Sequence, residues 1–107
     1  MTLDEMQKWF ELFAEKEGWL EHKSFVDIGF LLEEAGEVAR EVRRHEIGRH
    51  AHVDENGMSN NEMKEKLAEE IGDTLQALSV IASRYDISLA EAFNIHKEKV
   101  IREYGDM

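Results

Sequence analysis

The sequence predicts an all-α protein, and three observations carry that reading. The 107 residues contain no proline, the residue that normally punctuates connections between elements. Four segments repeat their apolar residues at helical spacing, and none alternates as a strand does. Three of the four open on a serine or threonine followed three residues later by glutamate, the spacing of a capping box. A chain of this length makes one domain, 1–107, with a core burying roughly 65% of the unfolded surface.

The first helix is expected from about Leu3 to Glu17, opened by Thr2 with Glu5 and stopped by Gly18. Leu3, Met6, Trp9, Phe10 and Phe13 form its apolar stripe. These aromatics serve either as core or, at Trp9 or Phe13, as a wall on which a nucleobase rests. A second helix begins near Ser24 and runs to about Glu46, with Gly48 beyond its end. Its stripe is Phe25, Ile28, Leu31, Leu32, Ala35, Val38, Ala39 and Val42. Gly29 and Gly36 sit inside it, each costing about 1 kcal/mol against alanine.

The stretch from Gly48 to Gly57 is the one long polar connection, carrying His50, His52 and Asp54, with His45 nearby. It reads as a solvated connector, as a flap bringing Arg49 or a histidine to phosphate, or as a metal-binding loop. Ser59 with Glu62 opens the third helix, which reaches about Arg84 on a stripe of Met63, Leu67, Ile71, Leu75, Leu78, Ile81 and Ala82. Ser88 with Glu91 opens the fourth, Leu89 to about Tyr104, stopped by Gly105. That helix is heavily charged, so one side of it is wet or faces a ligand.

Charge narrows the function. At a net charge of −11 the chain is a poor binder of DNA or RNA, whose phosphates are held by lysine and arginine, and it is repelled by anionic membranes. There is no cysteine for a disulfide or thiolate site. No apolar run approaches the length of a membrane span. The opening residues Met1 to Glu5 are acidic and amphipathic, unlike a secretory leader, and the expected location is the cytoplasm.

The most informative feature is a repeat. Leu31-Leu32-Glu33-Glu34-Ala35-Gly36-Glu37 returns 36 residues later as Leu67-Ala68-Glu69-Glu70-Ile71-Gly72-Asp73. Gly36 and Gly72 hold the same place in both copies, which suggests close backbone packing there. At 100° per residue, the stripe is centred about 100° around from Glu34, and Glu37 lies 60° on the other side of Glu34. Glu70 and Asp73 repeat that relation. The four acids therefore border the expected buried faces, and packing the two helices brings them together.

That arrangement is costly alone. Glu33 with Glu37, Glu37 with Glu41, and Glu69 with Asp73 are like charges at helical neighbours, each costing a few tenths of a kcal/mol. Lys66 and Arg40 are the near cations. Either the acids splay into water, or a hard divalent cation sits between the helices. Oxygen-only ligation fits Mg²⁺ or Mn²⁺. Di-iron bundles use E-x-x-H pairs, and the chain has none.

With these residues in hand, Glu33-Glu34-x-x-Glu37 followed by Glu70-x-x-Asp73 resembles the signature of the MazG-type all-α nucleoside triphosphate pyrophosphohydrolases. That superfamily includes dimeric dUTPases and phosphoribosyl-ATP pyrophosphohydrolases. The resemblance covers most of the chain and implies a four-helix, MazG-like bundle with two central acidic helices. It implies Mg²⁺-dependent hydrolysis of a nucleoside triphosphate to the monophosphate and pyrophosphate, in a homodimer or a dimer of dimers. It carries metal-ligand roles to Glu34, Glu37, Glu70 and Asp73. Glu33 becomes a further ligand or the group orienting the attacking water, so that Glu33, Glu34 and Glu37 form the catalytic set. Asn94 and Lys97 resemble a substrate-facing segment of the family, with Lys99 and Arg102 as competing phosphate contacts, and Trp9 is the candidate base contact. The gap between Glu37 and Glu70 is longer than the family pattern, and the histidine-bearing loop fills it. Two other readings stand beside this one: an acidic helical module that binds a basic protein without catalysis, and a related enzyme acting on phosphoribosyl-ATP.

Overall fold

The structure, a computed structural model, describes residues 1–48 and 59–107. Four α-helices are present among the described residues: α1 (Leu3–Lys16), α2 (Ser24–Gly48), α3 (Asn60–Arg84) and α4 (Leu89–Tyr104), with a short 3-10 turn at Trp19–Glu21. The all-α class holds, and no described helix is long and apolar enough to cross a membrane. Arg49, His50, His52 and Asp54, in the polar stretch read as connector, flap or metal loop, lie outside the described residues. Gly48, expected beyond α2, is its last helical residue.

The chain divides into two compact units, residues 1–24 with 79–107, and residues 25–78. In the first, α1 starts where the Thr2 hydroxyl accepts from the Glu5 backbone N–H at 3.1 Å while the Glu5 carboxylate reaches back to the Thr2 N–H, completing the capping box. It ends before Gly18, whose φ of 76° is the left-handed conformation that glycine adopts without strain. Gln7 is buried and ties α1 to the turn before α4. Its amide donates to the Ser83 hydroxyl at 3.2 Å and the Ile87 carbonyl at 2.8 Å, and its carbonyl accepts from the Leu89 N–H at 2.7 Å. That turn is a Schellman motif: the Ile87 N–H donates to the Ala82 carbonyl, and the Asp86 N–H donates to that of Ser83. Asp86 occupies the left-handed position, with a φ of 55°. Arg84 donates to the carbonyls of Trp19 and Leu20. Around this frame Ala14, Val80 and Ala82 are buried.

In the second unit the expected burial is rotated. Along α2 the covered line runs through Asp27, Leu31, Glu34, Val38 and Glu41, with Asp27 and Glu41 fully inside. The apolar stripe faces out: Phe25, Ile28, Leu32, Ala35, Ala39 and Val42 are all exposed. In α3, Met63 and Glu70 are buried, whereas Ile71, Leu75 and Leu78 are exposed. Glu34 and Glu70 therefore stand within the covered face, whereas Asp73 stays at its border. One helix covers only one strip of its neighbour, and the strip used here is the one bearing carboxylates. The expectation that Gly36 and Gly72 mark close packing is also corrected. A methyl group added at either would meet nothing within 4 Å.

Candidate metal centre

The second unit concentrates the site. Each turn of α2 returns a side chain to the same face at spacings of three and four, so Glu34 and Glu37 project side by side. Glu70 and Asp73 do the same on α3. One carboxylate oxygen from each of the four lies within 4.8 Å of the others. Glu70 is buried, Glu34 and Glu37 are half-buried, and Asp73 is exposed at the edge. The structure thus gathers the four residues expected together, and leaves Glu33 exposed beside them.

Electrostatics record the crowding. Glu70 is pushed above the usual carboxylate range, first by its hydrogen-bonding contact with Glu37, then by burial and by the charge of Glu37. Glu34 is raised by burial and then by the charges of Asp73, Glu70 and Glu33. Asp73 is raised by loss of surrounding water and by Glu70 and Glu69. Lys66 opposes this, standing 3.7 Å from Glu70 and 3.8 Å from Glu69. Arg40, the other near cation, pairs instead with Glu41.

Two oxygens test whether these residues fit a cation. Oε2 of Glu34 and Oε2 of Glu70 are buried and accept no hydrogen bond. A buried polar atom without a partner costs about 1–3 kcal/mol, more when charged. All four donors are carboxylates, the hard oxygen set that suits Mg²⁺ or Mn²⁺. A divalent cation among them would meet both orphaned oxygens and cancel the repulsion. The residues present fit the ion.

The other expected site residues lie in the first unit. Trp9 is 59% exposed. It stacks on Phe13 at 5.7 Å between ring centres, Phe10 stands edge-on to it, and Trp19 stands edge-on to Phe13. Asn94 and Lys97 are exposed on α4. Sequence reasoning treats Glu41 only as a like-charge neighbour of Glu37 and misses that it is 2% exposed. The available signal was its heptad spacing from Asp27 and Glu34, which puts all three on one line of α2.

The fold and this cluster define an all-α protein with four carboxylates placed to hold a divalent cation, and comparison with known proteins is specific about its family. Residues 22–105 match the model of the MazG nucleotide pyrophosphohydrolase domain, and the chain belongs to that family. It is 42% identical over 104 residues, 97% of each chain, to the uncharacterized protein YvdC of Bacillus subtilis (strain 168). No solved structure gives a significant match.

Proposed function

We propose that the chain hydrolyses a nucleoside or deoxynucleoside triphosphate to the monophosphate and pyrophosphate, with Mg²⁺, or Mn²⁺ in its place, held by Glu34, Glu37, Glu70 and Asp73. The observation that carries this reading is the pair of buried, partnerless carboxylate oxygens at the centre of a four-acid cluster, in a chain of the MazG family. A bound divalent cation supplies positive charge to the phosphate tail and acidifies a water for in-line attack at phosphorus. The chain's own residues do the rest. The cluster binds the ion as carboxylates, so the upward shifts of Glu34, Glu70 and Asp73 oppose binding and metal affinity rises with pH. Glu33 orients the attacking water or completes the ligand set. Trp9 offers a ring face to the base, and Asn94 and Lys97 contact the substrate.

The proposed working unit is a homodimer or a dimer of dimers, built from one domain spanning 1–107 and acting in the cytoplasm. Support for self-association comes from the exposed line of Phe25, Ile28, Leu32 and Val42 on α2, with Ile71, Leu75 and Leu78 on α3. Large apolar residues at regular spacing on a helix face call for a partner surface. Gly36 and Gly72, open within the chain, suit close approach by a second copy.

The test is pyrophosphate release from common and damaged nucleoside triphosphates and from phosphoribosyl-ATP, with Mg²⁺ and Mn²⁺. Metal-dependent release from at least one nucleoside triphosphate is the expected result. Release from phosphoribosyl-ATP alone would move the reading to that substrate, and no release from any would overturn it.

A further inference from the structure

We propose that Glu41 is a positioning residue that holds Arg44, with Arg40 beside it, as a clamp for the phosphate tail of the substrate. This rests on the pyrophosphohydrolase reading of the neighbouring acids. The Glu41 side chain is 1% exposed, the most deeply buried charge among the described residues. Such a carboxylate carries a desolvation penalty of several kcal/mol, and an apolar residue of similar volume often serves a core equally well or better. Its interactions point to a role outside the core. Its Oε1 meets Nη1 of Arg44 at 3.4 Å and Nε of Arg40 at 3.9 Å.

Each arginine pairs through a single nitrogen, not fork to fork, which spares guanidinium donors for a second anion. Arg44 is about one-third exposed and Arg40 about half, so both reach solvent from an anchored base. Their place on α2 matters equally. Arg40 and Glu41 follow Glu37 by three and four residues, and Arg44 follows it by seven. All four share one face, and Arg44 stands two turns, about 10.5 Å, along the axis from Glu37. In a chain of net charge −11, three arginines fall between positions 40 and 44. A polyphosphate whose inner phosphates meet the metal would lay its outer phosphates along this face, where planar guanidinium groups recognise them.

The experiment is calorimetric titration of the full-length protein with Mg²⁺, and then with inorganic pyrophosphate in saturating Mg²⁺, alongside KM and kcat for the accepted triphosphate. Arg44→Ala is expected to weaken pyrophosphate binding and raise KM by about 10- to 100-fold, the range for a lost charged hydrogen bond. Its Mg²⁺ affinity stays near that of the wild type, while its melting temperature falls because the buried Glu41 carboxylate loses its nearer partner. Arg44→Lys recovers part of the loss. Glu41→Gln moves pyrophosphate affinity the same way by a smaller factor, because the guanidinium loses its anchor. Arg44→Ala binding pyrophosphate like the wild type, or losing Mg²⁺ and pyrophosphate together, overturns the clamp. A wild type that hydrolyses no triphosphate and binds neither probe overturns the functional reading along with it.

Discussion

The two units of this protein treat buried polar groups in opposite ways. Around α1 and α4, buried Gln7 spends its whole amide on three hydrogen bonds, and Arg84 is spent on two carbonyls. Between residues 25 and 78, carboxylates fill the covered strip, two of their oxygens accept nothing, and leucine, isoleucine and phenylalanine face outward. The first pattern is that of a scaffold, in which the buried Gln7 amide has a partner for both its nitrogen and its oxygen. The second makes sense for surfaces completed by something else: a cation inside the carboxylate strip, and a second copy over the apolar one. The polar groups of the first unit are satisfied within the chain, whereas those of the second are left for the proposed metal.

Substitutions in the two units should therefore behave differently, and Glu37→Gln should have the largest effect. Loss of a metal ligand should reduce turnover more than about a hundredfold, since even an outer-shell partner is worth 10–100-fold. The metal-free protein should be as stable as the wild type or slightly more so, because a repulsive charge has gone. Steady-state kinetics with thermal melts in EDTA would check both halves. A variant that remains active would show that the cluster is not the catalytic centre.

Next in size is the outward apolar stripe. Leu32→Asp with Leu75→Asp should leave the helix content intact by circular dichroism and convert the assembly to monomers in sedimentation velocity. If the doubly substituted protein keeps the wild-type mass, the partner surface lies elsewhere. Gln7→Ala probes the other unit. It strands the Leu89 N–H and should cost about 2–3 kcal/mol in denaturant unfolding, with Mg²⁺ affinity unchanged.

The smallest effect is a pH dependence confined to the acidic unit. Glu70 has a folded pKa raised above its ordinary value of 4.5, so the folded state holds its proton more tightly than the unfolded state does. Its contribution is fully present below pH 4.5 and is lost as pH rises through the folded pKa, with a slope of up to about 1.4 kcal/mol per pH unit. Exposed Asp73 shifts in the same direction and adds less, because water screens it. Subtracting the stability of Glu70→Gln from that of the wild type across pH 4 to 8 isolates this contribution. The difference should fall with rising pH in EDTA, and saturating Mg²⁺ should remove the fall.

Much of this was legible in the residues. Capping spacings at Thr2, Ser59 and Ser88 marked three helix starts, and the repeated acidic pattern identified the four carboxylates that come together. The phase of burial was not legible. A hydrophobic stripe announces that a helix face will be covered, but not whether its own chain or another copy covers it. That ambiguity misplaced Phe25, Ile28, Leu32 and Val42 in the core and put Glu34 and Glu70 at its edge. The same ambiguity turned the open backbone at Gly36 and Gly72 into expected contacts. Glu41 was overlooked because its burial depends on the strip that α2 actually covers. Heptad spacing from Glu34 hints at that strip but does not establish it.

In the proposed site Glu34, Glu37 and Glu70 turn inward because a divalent cation completes them. Thermal unfolding across a Mg²⁺ titration tests it most directly, with Ca²⁺-free buffer and with Glu37→Gln as the control. At a hundred times its dissociation constant a bound ion adds about 2.7 kcal/mol, a rise of roughly 10–20 °C for a domain of this size. The wild type should show that rise, and Glu37→Gln should show almost none of it. An unmoved wild-type melting temperature, or the same rise in both proteins, would contradict it.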